Sequence, residues 1–202
     1  MSRRELDNYP TPRRLTEALL AHVPIAGYVL EPCAGAGQMA AVVRDSHRVT
    51  GVVVNDIDSA YGYGWQCDAT DPTAVIWQDD WALRPDWVVT NPPFNQAMPI
   101  LANAFGVAEV GVAFLLRLSF LEPTNGRAAW LQAHQGELSH LLIFGSPRPS
   151  FTDDGRTDSA TVAWMVWQRG WTGGTQVRFV TGWAGETPNG RPATAAVHRG
   201  GA

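Results

Sequence analysis

Read in order, the apolar positions of this chain change period several times, from helical spacing to continuous or alternating strand-like runs. Thr11 to His22 puts Leu15, Ala18, Leu19 and His22 on one helical face, behind Thr11 as N-cap and Pro12 in the first position. Tyr28 to Glu31 is a short apolar strand that runs through Pro32-Cys33-Ala34-Gly35-Ala36-Gly37 into a helix over Gln38 to Arg44. Thr50 to Asn55 is a run of valines, the pattern of a buried parallel strand. Asp71 to Gln78 predicts a short helix, and Asp86 to Thr90 a strand that stops at Asn91-Pro92-Pro93-Phe94. Helix over Gln96 to Val107, strand over Gly111 to Leu118, helix over Asn125 to His134 and strand over Leu138 to Phe144 follow. A polar loop, Ser146 to Asp158, then separates these from a strongly strand-like stretch, Ala160 to Gln168.

Strands alternating with helices predict a mostly parallel sheet covered on both faces. The strands at 138–144 and 160–168 are joined without a helix, so they should pair antiparallel. Thr175 to Trp183 offers one more edge strand. From Ala184 onward Gly, Thr, Pro and Ala dominate, which predicts a domain over residues 1–183 and a disordered tail over 184–202.

Composition narrows the class. Hydrophobic residues make up 45% and charged residues 17% of the 202, a globular balance with enough chain for a substantial core. No apolar run reaches the roughly 20 residues of a membrane span, and Met1-Ser2-Arg3-Arg4-Glu5 leads into polar sequence, not a signal peptide. Cys33 and Cys67 sit in different segments and suggest no disulfide framework, while five scattered histidines give no metal-ligand spacing. A cytoplasmic domain without metal is expected. The net charge of −4 argues against strong nonspecific DNA binding but leaves room for a local basic face. Every basic residue is arginine, which suits bidentate phosphate contacts and equally reflects a GC-rich coding sequence.

Four segments carry candidate chemistry. Glycines in Glu31-Pro32-Cys33-Ala34-Gly35-Ala36-Gly37 allow a tight strand-to-helix turn and close approach of a ligand, though any α/β protein could use such a turn. Glu31 sharpens the reading, because an acid there repels pyrophosphate and attracts the ammonium of an amino-acid-like cofactor. Asn55-Asp56-Ile57-Asp58 ends the next strand, where a carboxylate can accept ribose hydroxyls or simply cap a turn. In Cys67-Asp68-Ala69-Thr70-Asp71, Asp68 at a strand end could meet an adenine amine, and Asp71 could be a helix cap. The fourth, Asn91-Pro92-Pro93-Phe94, is the most specific. Two prolines after a buried strand fix the backbone, so that an amide oxygen, a main-chain oxygen and a flat ring could meet a planar group bearing NH₂.

With these motifs the chain resembles the class I S-adenosylmethionine-dependent amino-methyltransferases, specifically the N6-adenine DNA methyltransferases, and among them small phage-encoded members without a target recognition domain. An acid followed by Pro-x-x-Gly-x-Gly is matched by Glu31, Pro32, Gly35 and Gly37, and the catalytic Asp/Asn/Ser-Pro-Pro-aromatic motif by Asn91 to Phe94. Thr11-Pro12, with Tyr9 just upstream, is similar to an N-terminal element touching the cofactor's methionine end. The resemblance covers roughly residues 9 to 168. It implies a Rossmann-like seven-stranded, mostly parallel sheet with one antiparallel strand and helices on both faces. It also implies S-adenosyl-L-methionine bound by Tyr9, Thr11, Glu31, Cys33, Gly35, Gly37, Asp56, Ile57, Asp68 and Asn91.

Catalysis would fall to Asn91, Pro92 and Phe94, and substrate binding to Pro93, Phe94, Arg117 and Arg148, with Arg148-Pro149-Ser150-Phe151 aligned to a late base-binding motif. Arg127 and Arg156 are further candidates for phosphate contact. The implied partner is nucleic acid, DNA first. An RNA base or a protein glutamine presents the same planar NH₂, and an inactive cofactor-binding scaffold is the reading from outside enzymology. Two departures stand out: no space for a separate recognition domain, so sequence specificity is expected to be low or delegated to loops such as Ser146 to Asp158 or to a partner, and a 57–66 segment too short for a normal helix between the second and third strands.

Overall fold

The computed structural model describes residues 10–78, 84–145, 148–149 and 160–181. Tyr9, the tail from Ala184 and nearly all of the 146–158 loop lie outside these residues. Helix α1 (Arg13–His22) leads to strand β1 (Gly27–Glu31), helix α2 (Gln38–Arg44) and strand β2 (Val49–Val54). Strand β3 (Trp87–Thr90), helix α3 (Ala97–Val107), strand β4 (Gly111–Arg117), helix α4 (Ala128–Ala133), and strands β5 (Leu138–Phe144), β6 (Val162–Gln168) and β7 (Gln176–Val180) complete the order. The sheet runs β2-β1-β3-β4-β6-β5-β7. All neighbours are parallel except β6, which runs antiparallel to both β4 and β5.

Period-two alternation assigns the two faces. Val29, Trp87, Val89, Ala113 and Leu115 point to the side covered by α1 and α2, where they meet Leu15, Leu19, Met39 and Val43. Leu30, Val88, Val112, Phe114 and Leu116 point to the opposite side, against Ile100, Leu101, Ala104 and Phe105 of α3. Trp164 of β6 is fully buried and donates its indole N–H to the Leu15 carbonyl at 2.8 Å, tying α1 to the sheet. No helix among the described residues is long and apolar enough to cross a membrane.

Several expectations change in detail. Thr11 does not cap α1: the helix begins after Pro12 without a side-chain cap, and the Thr11 hydroxyl is engaged elsewhere. The helix expected over Asp71 to Gln78 shrinks to one 3-10 turn, Val75–Trp77. Asp71 folds back on its own loop, accepting from the Thr73 N–H and hydroxyl, and these bonds lower its pKa. The strand expected to end at Asp68 is absent. A single parallel bridge, Asn55 to Trp65, stands in its place, and seven strands are reached through β7 instead. As a result β2 is an edge strand and only half-buried, not the buried strand its valines suggested.

Candidate active site

Strands β1, β2 and β3 are parallel, so their carboxyl ends open on one edge of the sheet. After β1 the chain goes to β2 on one side, and later to β3 on the other. Such a reversal leaves a crevice at the strand ends, and here it holds a cleft lined by residues of the glycine turn, of the segment after β2 and of the segment after β3.

Glu31, the last residue of β1, lines this cleft and is 3% exposed. Its Oε2 has no hydrogen-bond partner. Burial, with the Asp56 carboxylate pushing the same way, holds the Glu31 carboxyl well above its ordinary pKa. A buried acid with an unpartnered oxygen favours a cation beside it.

Three N–H groups of the turn after Glu31 are engaged. Ala34 N–H donates to the Asn55 carbonyl at 2.9 Å, Gly37 N–H to Ala34 at 2.8 Å, and Gly35 N–H to Asp56 Oδ2 at 2.7 Å. Gly35 and Gly37 adopt φ of 51° and 75°, the left-handed region that favours glycine. With these N–H groups bonded and Glu31 beneath them, the turn is poorly made for a pyrophosphate, which needs unengaged donors.

Asp56 lines the cleft while accepting from Gly35 and, through Oδ1, from Asp58 N–H at 2.9 Å. Each carboxylate oxygen accepts more than one bond, so these contacts fix its position without exhausting it. Asp58 caps the short Ser59–Tyr61 turn through Ala60 N–H. Ile57 lines the cleft at 55% exposure, an apolar side chain suited to the face of a flat ring, and Ile100 lines it as well. Asp68 is exposed at the rim, with Oδ1 accepting from the N–H and hydroxyl of Thr70. It reaches the cleft from a turn, not from a strand end. The Cys33 thiol also lines the cleft and stays protonated, because burial first and the Asp56 carboxylate second push its pKa far up.

Asn91 lines the same cleft from the end of β3. Its amide nitrogen donates to Thr11 Oγ1 at 3.1 Å, across 80 residues of sequence, and Thr11 is buried. An amide has one donor end and one acceptor end; Thr11 engages the donor end. Pro93 and Gln96 join the lining. Pro92, which is buried, and Phe94 both lie outside the lining; Phe94 is half-buried against both cores with the Arg117 guanidinium 4.8 Å from its ring centre. Arg127 stacks likewise on Phe120 while donating to the Ser119 and Glu122 carbonyls. Arg148 is exposed and lies outside the lining. Among the described residues no group of three or more His, Cys, Asp or Glu could hold a metal ion.

Three residues that sequence reasoning did not single out matter here. Asn55 is fully buried; its amide N–H₂ donates to the Pro32 and Cys67 carbonyls at 2.9 and 3.0 Å, and its oxygen accepts from Cys67 N–H at 2.8 Å. It thereby links the glycine turn to the 67–69 wall that no strand supports. Tyr61 lines the cleft, and Tyr63 donates its hydroxyl to the Gly35 carbonyl at 2.8 Å. The available signal was Tyr61-Gly62-Tyr63-Gly64, aromatics interleaved with glycines where a helix would not fit.

No family model and no curated protein matches the sequence. Solved structures match the fold. A protein described as the modification subunit of a type I restriction enzyme from Vibrio vulnificus aligns with TM-score 0.62 and 14% identity, over 91% of this chain and 48% of that one. The methyltransferase subunit of a type I restriction-modification system from Streptococcus thermophilus aligns with TM-score 0.58 and 15% identity, over 80% and 45%. This chain thus spans about half the length of those two proteins. A protein described as an RNA methyltransferase from Pyrococcus horikoshii aligns with TM-score 0.54 and 16% identity, over 81% and 87%. The fold is the Rossmann-like class I methyltransferase fold.

Proposed function

We propose that this chain transfers a methyl group from S-adenosylmethionine to an exocyclic amino nitrogen, with adenine N6 in DNA as the acceptor. One observation carries the reading: a single cleft holds a buried, unpartnered Glu31 oxygen and an Asn91 amide whose donor end is engaged by Thr11. The first fits the ammonium of an amino-acid-like cofactor. The second fits a planar NH₂ group. A pyrophosphate-bearing cofactor suits neither.

When bound, S-adenosylmethionine supplies an electrophilic methyl on a sulfonium. Glu31 would receive the ammonium, and Asp56 the ribose hydroxyls. Ile57 would pack on the adenine face, and Asp68 would accept from the adenine amine. Cys33 stays a neutral thiol, so the protein offers no thiolate there for a covalent intermediate. Direct transfer follows, with the protein contributing orientation and electrostatics.

The lone pair of an aromatic amine is delocalised into its ring. Asn91 Oδ1 and the Pro92 carbonyl, accepting both N–H hydrogens, would turn that lone pair toward the methyl and stabilise the positive charge that develops, until the methylated nitrogen gives up one proton to water and the donor is left as neutral S-adenosylhomocysteine. Phe94 would then stack on the base as it takes the place of the Arg117 guanidinium, and Arg117 would move to a backbone phosphate. A base in duplex DNA has to leave the helix to reach this cleft. The DNA assignment is supported by the Asn91-Pro92-Pro93-Phe94 motif and by the two restriction-modification neighbours. The neighbour described as an RNA methyltransferase, which this chain matches over most of its length, favours an RNA base as the second reading.

The test is incubation of the chain with methyl-labelled cofactor and DNA, RNA or cell protein. N6-methyladenine in DNA is expected. Label in RNA or glutamine would move the acceptor, and label in none of the three would remove the assignment. Asn91→Ala should cut turnover by about 10²–10³ with cofactor affinity nearly unchanged, as for the loss of one preorganised polar contact.

A further inference from the structure

The segment between β2 and Cys67 departs from a plain strand-helix-strand unit, and it grips the glycine turn instead. Gly35 N–H donates to Asp56 Oδ2 at 2.7 Å, and the Gly35 carbonyl accepts the Tyr63 hydroxyl at 2.8 Å. One short stretch of chain therefore holds Gly35 on both sides. The Tyr63 hydroxyl also covers Gly37, where an added Cβ would come within 2.8 Å of it. The Tyr63 ring stacks on Tyr61, with centroids 5.9 Å apart and planes 24° apart, and Tyr61 lines the cleft.

We infer that Tyr63 is a positioning residue for the cofactor: its hydroxyl latches the Gly35 carbonyl and selects one conformation of a turn that glycine leaves free to adopt others. Glycines at φ 51° and 75° give this turn unusual backbone freedom. A ligand lying on it would otherwise have to order it on binding, at a cost in affinity. The latch removes that cost before the ligand arrives. Tyr63 remains a hydrogen-bond donor at neutral pH, since partial burial and the Glu31 and Asp56 carboxyls raise its pKa. The ring supports Tyr61 and the hydroxyl holds the turn, so removal of the hydroxyl alone separates the two roles. The inference rests on S-adenosylmethionine being the ligand of this cleft.

The experiment is calorimetric titration of the full chain and its Tyr63→Phe variant with S-adenosylmethionine and with S-adenosylhomocysteine, alongside melting curves with and without ligand. A net hydrogen bond corresponds to roughly a 2- to 12-fold change in Kd, and a rise of about fivefold is expected. The ligand-induced rise in Tm should shrink, and turnover at saturating cofactor should stay within twofold. A Kd unchanged within twofold would overturn the latch, whatever happens to the unliganded Tm, because that pattern belongs to a purely structural tyrosine. Should Tyr63→Phe fail to fold, Gly37→Ala disturbs the same contact from the other side, and an unchanged Kd there would overturn it equally. Absence of binding by the unaltered chain would remove the cofactor assignment itself, and the latch with it.

Discussion

Glu31→Gln replaces a titratable carboxyl by a neutral amide with almost no change in volume, and the structure gives it two effects of opposite sign. Oε2 of this buried side chain has no partner, and burial first, then Asp56, raise the carboxyl well above its ordinary value of 4.5. Between the unfolded and folded pKa the ligand-free native chain holds a proton that the unfolded chain has released. The contribution of Glu31 to stability is therefore full below the unfolded value and falls as pH rises toward the folded one, by about 1.4 kcal/mol per pH unit. Glutamine has no such equilibrium. The variant should lose that slope and become more stable than the parent at the upper end of the window.

Cofactor binding should move the other way. A hydrogen bond to a charged group contributes about 1.5–3 kcal/mol, roughly a 10- to 150-fold weaker Kd once the carboxylate is gone. In the parent an incoming ammonium must displace the Glu31 proton, so affinity should rise with pH through the same window. The variant should show no such trend. Titration calorimetry in buffers of different ionisation heat reads both the affinity and the released proton, and urea unfolding across pH reads the stability. A Glu31→Gln chain that binds the cofactor as tightly as the parent would refute the reasoning, as would one whose unliganded stability keeps the parent's pH slope.

Two further outcomes follow from the geometry. Asn55→Ala leaves the Pro32 carbonyl and both peptide groups of Cys67 without their partner, so it should cost about 2–4 kcal/mol in urea unfolding; a loss below about 1 kcal/mol would contradict its role as a clamp. Arg117→Ala should weaken nucleic-acid binding about equally across sequences and lower the slope of affinity against salt by about 1; an unchanged slope would rule out a phosphate contact.

The strands were legible because their period is unambiguous: β1, β3, β4, β5 and β6 are bounded within a residue or two of where the apolar runs start and stop. The 57–78 stretch was less so. Its polar residues form turns held by their own side chains, Asp58 to Ala60, Asp68 to Thr70 and Asp71 to Thr73. Such local bonds compete with helix and strand and leave no periodic trace. Glu31 ends one strand and Asn91 follows another, each within a recognisable motif, so their placement at strand ends was legible, and both line the cleft. The Thr11 to Asn91 bond could not be read. It joins positions 80 residues apart, and Thr-Pro ahead of a helix looks the same whether the hydroxyl caps that helix or meets another side chain. Asn55 was hidden for a similar reason, since an asparagine at a strand end is commonly a turn residue, and only its burial reveals three bonds.

With β2 at the margin of the sheet, one bank of the cleft is a loop folded back on itself, pinned by Asn55, Asp56 and Tyr63. Edge strands and loops open at a fraction of the free energy of global unfolding. A ligand seated between Glu31 and Ile57 would add to the bonds that hold this bank, so occupancy of the cleft should be readable as added protection of the 55–68 amides from hydrogen exchange.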